Sequence, residues 1–302
     1  MTTFVAVVIA TYRRAPELRR LLASLALCPN PLAVVVVDNA NDPETEAVVR
    51  AAPIETLRLV PPANLGCGGG LAFGERAALE RYGDRLTHFW LLDDDTEATS
   101  ETLPRLLAGL CLEGAAVACP MITDADGNLG WFPGLLDRAA FDAVRTSKTP
   151  AEFRARCGCK PVRFSWATGV ALLATRQAIE ELGVHRDDFW IRGEDLEFTL
   201  RITAQCPGVF VPDAELAHLP RSSGNSPAES AAERKKHAAM IQNIAFISTR
   251  LPHGRRIQGT VPGNVWRYLK TWGLASLPEV LKALWLGGVR GWPVGKRSEG
   301  RD

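Results

Sequence analysis

The chain has 302 residues, of which 46% are hydrophobic and 23% charged, with a formal net charge of +1. That suits one large α/β domain with an extension, or two smaller domains, each able to bury a core. The balanced charge excludes a global bias towards nucleic acid, and no apolar run approaches the ~20 residues that span a bilayer.

The balance hides an asymmetry. From Arg250 to Asp302 there are ten Lys/Arg against three Asp/Glu, together with four of the eight tryptophans (Trp266, Trp272, Trp285, Trp292). The start, "MTTFVAVVIATYRR", has no basic region ahead of its apolar run, so a secretory signal is not expected. The seven cysteines are scattered, and "RCGCKP" has no second pair at zinc-like spacing. Reduced thiols in an intracellular chain are expected.

"TFVAVVIAT" (Thr3–Thr11) is a β-branched run of the kind that forms a buried parallel strand. "APELRRLLASLAL" follows at helical spacing. "LAVVVVDNA" (Leu32–Ala40) reads as a second strand, residues 43–51 as a short helix, and "IETLRLV" (Ile54–Val60) as a third strand. "NLGCGGGLAFGERAALERYG" reads as a glycine-rich turn entering a helix, and "THFWLLDDD" as a fourth strand. A helix from about Thr102 and the strand "AAVACPMI" complete the alternation. It predicts a doubly wound, mostly parallel sheet flanked by helices. Such sheets bind ligands at the carboxyl ends of their strands, where Thr11, Asp38, Asn64 and Asp93–Asp95 fall. The second half is less regular. Phe164–Thr175 reads as one strand, 176–183 as a helix, a further helix starts at about Glu194, "VFVPDAELAHLP" is extended, and residues 227–250 form a long helix.

Four groups carry chemistry. In an extended chain Asp93 and Asp95 face one side, roughly 6.5 Å apart, and Asp94 the other. Two carboxylates with phosphate oxygens suit Mg²⁺ or Mn²⁺, although aspartates equally suit a polar turn. Gly66, Gly68, Gly69, Gly70 and Gly74 open a helix whose N-terminus favours anions, or serve tight helix-to-sheet packing. Glu194 and Asp195 start a helix, as its dipole favours, and either could accept a proton from a hydroxyl. His218 ends an extended stretch as a structural histidine or a metal ligand. Arg221, Ser222 and Ser223 could reach phosphate oxygens.

In order, "VVIATYRR", "VVVVDNAN", "NLGCGGG", "LLDDDTE", "ATGVALLATRQAIEELG", "EDLEFTLR" and the later His218 resemble the inverting glycosyltransferases of family 2, which have the GT-A fold. "NLGCGGG" with "LLDDDTE" looks most like galactofuranosyltransferases, with rhamnosyltransferases close by. The resemblance implies a GT-A domain over residues 1–222, with a nucleotide-binding half (1–122) and an acceptor-binding half (123–222). A helical, basic, Trp-rich extension over 223–302 completes the chain. Donor contacts fall to Thr11, Tyr12, Arg13, Asp38, Asn64, Gly66, Gly69, Gly70, Asp93 and Asp94. A Mn²⁺ or Mg²⁺ ion would rest on Asp93, Asp95 and His218. Asp195 would be the general base, and Trp166, Thr168, Gly169, Trp190 and Glu194 would shape the acceptor site.

The implied donor is UDP-galactofuranose or dTDP-rhamnose, and the acceptor a glycan or lipid-linked sugar in bacterial cell-surface polysaccharide or glycolipid synthesis. The Gln-x-x-Arg-Trp signature of processive synthases and their membrane helices are absent, and the tail is shorter than in polymerising galactofuranosyltransferases. Both point to addition of one or a few sugars. The tail suits either a membrane surface rich in anionic lipid, with the protein peripheral at the inner face, or packing on the body or a second copy. A sugar-phosphate nucleotidyltransferase would carry an early glycine-rich loop, which "ATYRRAPELRR" lacks. A non-catalytic nucleotide-sugar-binding protein would bind donor without turnover.

Overall fold

The computed structural model describes residues 3–29, 32–220, 227–251, 254 and 260–288. They form two compact units. The first takes the described residues up to Trp190 and from Glu194 to Pro220; the second takes Ile191–Gly193 and the described residues from Pro227 on.

The first unit is built on a ten-stranded sheet. In chain order its elements are β1 (Val5–Thr11), α1 (Ala15–Leu25), β2 (Leu32–Asp38), α2 (Pro43–Arg50), β3 (Thr56–Leu59), α3 (Gly66–Tyr82), β4 (His88–Asp93), β5 (Thr96–Ala98), α4 (Thr102–Glu113), β6 (Val117–Thr123) and β7 (Leu129–Gly130). There follow α5 (Arg138–Thr146), α6 (Pro150–Cys157), β8 (Val162–Phe164), β9 (Ala171–Thr175), α7 (Arg176–Leu182), α8 (Glu194–Thr203) and β10 (Gly208–His218). The sheet order is β3-β2-β1-β4-β9-β6-β10-β5, with β7 on β6 and β8 on β10.

Strands β1–β4 pair in parallel, as expected. The alternation does not continue to the fifth expected strand, however. β9 lies antiparallel between β4 and β6, and β6 and β10 pair in parallel beyond it. The sheet is therefore mixed, with its main strands sharing one direction. The expected strand Phe164–Thr175 is two strands, because residues 165–170 leave the ladder. Helices α5 and α6 lie where no element was expected, although Ala140, Ala143 and Val144 of α5 are buried at helical spacing.

The unbroken valine runs follow from coverage on both faces. Val5, Val7 and Ile9 of β1 pack with Leu18, Leu21 and Leu22 of α1, whereas Ala6 and Val8 pack with Leu71 and Ala78 of α3. With helices on both sides, every position in the strand must be apolar. Helix α3 approaches closely: a Cβ at Gly74 would stand 2.5 Å from Val8 Cγ1.

The second unit contains α9 (Pro227–Arg250), α10 (Thr260–Trp272) and α11 (Leu277–Gly288). Its core joins Ile241, Tyr268, Val280 and Ala283. Arg234 of α9 binds Glu279, which also accepts from the Tyr268 hydroxyl. Trp266, Leu274, Leu277, Leu281 and Trp285 are exposed. No helix among the described residues is long and apolar enough to cross a membrane.

Candidate active site

Strand β4 stops at Asp93, and Asp94 and Asp95 form the turn into β5. β5 then pairs antiparallel with β10, setting Thr96 opposite His218, while the Leu219 amide donates to the Asp95 carbonyl at 2.8 Å. His218 Nε2 therefore reaches Asp95 Oδ1 at 2.9 Å and lies 4.0 Å from Asp93 Oδ2. Ligand atoms of Asp93, Asp95 and His218 all fall within 4.8 Å of one another. It is this turn that makes Asp93 and Asp95 converge, not the pleat of one extended strand.

Two carboxylates and an imidazole fit a divalent cation as a donor set. The His218 ring is fixed by an edge-on contact with Trp131 at 4.3 Å. Asp94 turns the other way and accepts from Thr11 Oγ1 at 2.6 Å and Arg14 Nη1 at 3.1 Å. Arg14 also binds Asp95, so one guanidinium bridges two adjacent carboxylates.

The charges are strongly perturbed. Desolvation, followed by Asp95, Asp94, Glu194 and Asp195, holds Asp93 well above the ordinary carboxyl range. Burial lifts Asp94 to about 6, against the pull of Arg14 and Thr11. Burial also acts on Asp95, but His218 and Arg14 outweigh it and leave that carboxyl below its usual value. Together these groups form a concentration of negative charge that favours a cation.

The other strand ends are tied to the protein. Asp38 is 0% exposed; it accepts from Arg58 at 2.7 Å and from the amides of Ala40 and Asp42. Tyr12 is exposed, with the Arg13 guanidinium over its ring, and Arg13 takes a left-handed φ of 56°. Asn39 carries the connection to the glycine segment: its Oδ1 accepts from Leu65 N at 3.0 Å and its Nδ2 donates to Gly66 O at 3.2 Å. Asn64 Oδ1 accepts from Gly66 N at 2.8 Å.

Gly66, with a left-handed φ of +74°, begins α3, and Gly68, Gly69, Gly70 and Gly74 lie within the helix and not in a turn before it. They give room to protein neighbours. A Cβ at Gly66 would stand 2.0 Å from Trp190 O, at Gly68 2.2 Å from Phe189 O, at Gly69 2.9 Å from Leu65 Cβ, and at Gly70 2.9 Å from Ala10 Cβ.

Glu194 and Asp195 open α8 and are brought towards the aspartate turn. Asp195 Oδ2 accepts from Gly169 N at 2.9 Å and Oδ1 from Leu196 N at 2.8 Å. Burial raises the Asp195 pKa against these bonds. Glu194 is pushed to about 7 by burial and then by Asp195, and its Oε2 is buried without a hydrogen-bond partner. Cys67 faces Glu194, and burial with the nearby Glu194 and Asp93 raises its thiol. Thr168 Oγ1 donates to Trp131 O at 3.3 Å, Trp166 O accepts from Gly134 N at 2.9 Å, and Trp190 O accepts from Cys67 N at 2.8 Å.

Arg14, Asn39, Cys67 and Trp131 escaped the sequence reading. Three adjacent aspartates needing a partner pointed to some cation, and "YRR" after β1 offered it; Cys67 and Trp131 left no such signal. Arg221, Ser222 and Ser223 lie outside the described residues.

The model of the family described as "Glycosyl transferase family 2" matches residues 6–172. The chain is 30% identical over 259 residues to the N-acetylglucosaminyl-diphospho-decaprenol L-rhamnosyltransferase of Mycobacterium tuberculosis, covering 78% of this chain and 83% of that one. It is 29% identical over 207 residues to galactofuranosyltransferase GlfT1 of Mycolicibacterium smegmatis, covering 67% and 66%. Among solved structures, S. aureus TarS 1-349 in complex with UDP-GlcNAc superposes with a TM-score of 0.60 at 15% identity, covering 94% of this chain and 80% of that one. The mannosyltransferase PcManGT from Pyrobaculum calidifontis, in complex with GDP-Man and Mn²⁺, gives 0.55 at 17% identity, covering 94% and 74%. These likenesses share the mixed sheet with its flanking helices, which is the GT-A fold. The matched segment holds β1–β4, the aspartate turn and the Gly169 loop, and on that ground the chain belongs to glycosyltransferase family 2.

Proposed function

We propose that this glycosyltransferase moves a rhamnose or galactofuranose residue from its nucleoside diphosphate to a lipid-linked or glycan acceptor, with inversion and without processive elongation. The sugar class is supported by the two mycobacterial relatives, and a lipid-linked acceptor by the name of the first. The observation that carries the reading is the meeting of Asp93, Asp95 and His218 within electrostatic reach of the Glu194–Asp195 pair, whose charges raise Asp93.

A divalent cation on Asp93, Asp95 and His218 would offset the charge of the donor diphosphate. The chain's own residues do the rest. Two backbone amides aim the Asp195 carboxylate, and burial makes it more basic than an exposed aspartate, as a general base requires. As the acceptor oxygen bonds to the anomeric carbon, its proton passes to Asp195. The bond to the diphosphate oxygen breaks on the opposite face, and its electron pair leaves with the nucleotide. Arg14 and Thr11 hold Asp94 and keep the turn in register. Gly66, Gly68 and Gly69 let the 186–190 segment close onto α3, and Gly70 and Gly74 let α3 close onto β1 and β2.

The test is release of UDP or dTDP from UDP-galactofuranose and dTDP-rhamnose with a polyprenyl-diphosphate-linked N-acetylglucosamine acceptor. Turnover should stop in EDTA and return with Mn²⁺ or Mg²⁺; full activity in chelator removes the metal role. Asp195→Asn should abolish transfer while sparing UDP binding, and near wild-type turnover in that variant refutes the base assignment.

A peripheral membrane location is supported by exposed Trp266, Leu274 and Leu281 beside Arg267, Lys270 and Lys282. Flotation with phosphatidylglycerol vesicles should fall in a Trp266→Ser/Leu281→Ser variant; equal flotation of the two proteins removes that location.

A further inference from the structure

Helix α3 and the segment leading to Asp195 share a contact that none of the roles above employs. Glu75 and His185 are enclosed, at 0% and 2% exposure. Glu75 Oε2 accepts from the His185 backbone amide at 2.8 Å, and its Oε1 lies 3.0 Å from His185 Nδ1. The imidazole stacks on Phe198 of α8, with ring centroids 4.0 Å apart and planes 10° apart. One carboxylate of α3 thus grips both backbone and side chain of a residue lying flat against the helix that begins with Glu194 and Asp195.

A buried polar pair is a poor source of net stability, since apolar residues of similar volume often do as well. What it supplies is a defined geometry. The hold continues along the same face of α3: Cys67 N donates to Trp190 O at 2.8 Å, and a Cβ at Gly68 would stand 3.0 Å from Glu194 Cβ. At its N-terminus α3 is tied by Asn39 to the end of β2, and the Asn39 amide donates to Thr11 O at 3.0 Å. Thr11 in turn binds Asp94. Bonded contacts therefore run from the aspartate turn through Asn39 and α3 to the segment before Asp195.

We propose that the Glu75–His185 pair is a positioning device for the transfer reaction: it fixes residues 185–190 against α3 and thereby sets Asp195 relative to the strand ends that receive the donor. The proposal rests on Asp195 as the base, and it assigns the pair an effect on turnover rather than on donor affinity.

The test compares His185→Phe, which keeps the stacked ring and loses the nitrogen, with His185→Asn, which returns a donor near the place of Nδ1. Turnover of dTDP-rhamnose and UDP-galactofuranose is followed by nucleotide release, and UDP binding with Mn²⁺ by calorimetry. A displaced base costs between about tenfold and about 100-fold in rate. His185→Phe should show a fall in kcat of that size, with donor KM and the UDP Kd within about threefold of wild type, and His185→Asn should recover most of it. Amide exchange gives a readout independent of any donor. In His185→Phe, amides 186–190 and 196 should exchange faster, while those of β1 and β2 stay unchanged.

Wild-type kcat in His185→Phe, a loss carried by KM alone, an Asn variant no better than Phe, or unaltered exchange at 186–190 each overturns the proposal. Should His185→Phe fail to fold, Glu75→Gln, which keeps an acceptor for the His185 amide, is read by the same criteria. Full turnover in Asp195→Asn overturns the base assignment and leaves the exchange result standing. An inactive Asp195→Asn beside an unaffected His185→Phe overturns the pair alone.

Discussion

The amide of Gly169 donates to Asp195 Oδ2 at 2.9 Å, and a Cβ at position 169 would stand 2.9 Å from the Cβ of Asp195. The residue that aims the carboxylate is thus one whose missing side chain makes room for it. Gly169→Ala keeps the amide and removes the room. With Asp195 in the proposed role of base, steady-state kinetics should show kcat lower by about tenfold or more, because a misplacement of about 1 Å can cost about 100-fold, with UDP affinity within about threefold. Unchanged kcat would mean that Asp195 tolerates displacement.

His218 and Asp95 are 123 positions apart in the chain, yet their side chains meet at 2.9 Å. Removing the imidazole would leave the proposed cation only Asp93 and Asp95. His218→Ala should raise the Mn²⁺ concentration for half-maximal activity by at least about tenfold, in line with the sensitivity of metal affinity to supporting groups. A Mn²⁺ titration of activity checks this, and an unmoved midpoint would take His218 out of the metal set.

Glu194 illustrates how burial links charge to stability. Its pKa is raised to about 7 by desolvation and then by Asp195, so between the unfolded value of ~4.3 and about 7 the folded chain binds more protons than the unfolded one. Stability contributed by the protonated form is present below that window and falls as pH rises through it. In chelator, Glu194→Gln should therefore be more stable than wild type by about 1–3 kcal/mol at pH 8 and equal to it near pH 4. Denaturant titrations at the two pH values measure the difference; an equal or lower stability of the variant at pH 8 contradicts the assignment.

Gly66 has a left-handed φ of +74°, and its Cβ would meet Trp190 O at 2.0 Å; Gly68 would meet Phe189 O at 2.2 Å. Backbone carbonyls cannot swing aside as a flexible side chain does. Ala at either position should destabilise the fold by about 1–3 kcal/mol or more, seen as a lower Tm by calorimetry. A neutral Gly68→Ala would show that the 186–190 segment has room to yield.

Arg14 spans Asp94 and Asp95 with one guanidinium. Arg14→Met leaves two buried carboxylates without their cation, so Tm should fall, and Mn²⁺ should restore part of the loss by occupying the neighbouring ligands. Thermal melts with and without Mn²⁺ test this; equal melts in both conditions would separate Arg14 from the charge of the turn.

The central strands were legible because burial on both faces imposes a pattern that no helix or exposed strand shares: "VAVVI" and "VVVV" announce β1 and β2 by composition alone. The acidic strand end, the glycine segment, "GED" and His218 were legible as kinds of residue in an order. Their partners were not. β5 has only three residues and no hydrophobic alternation, yet pairing it with β10 is what carries His218 to Asp95. The break at 165–170 is invisible in "FSWATGVALLAT", because leaving the ladder there is decided by Asp195 and Thr199 taking the amides of Gly169 and Ala167.

The chain's order of apolar runs, caps and charges determined its family, its parallel core and the types of group at its strand ends, since these depend on local periodicity and on what a buried strand tolerates. Only the tertiary structure decided which aspartate faces His218 and which faces Thr11, why glycines line α3, and that Glu75 meets His185, 110 positions away. Those outcomes depend on long-range strand pairing and close packing, which bring together residues whose sequence carries no mark of the neighbour they will meet.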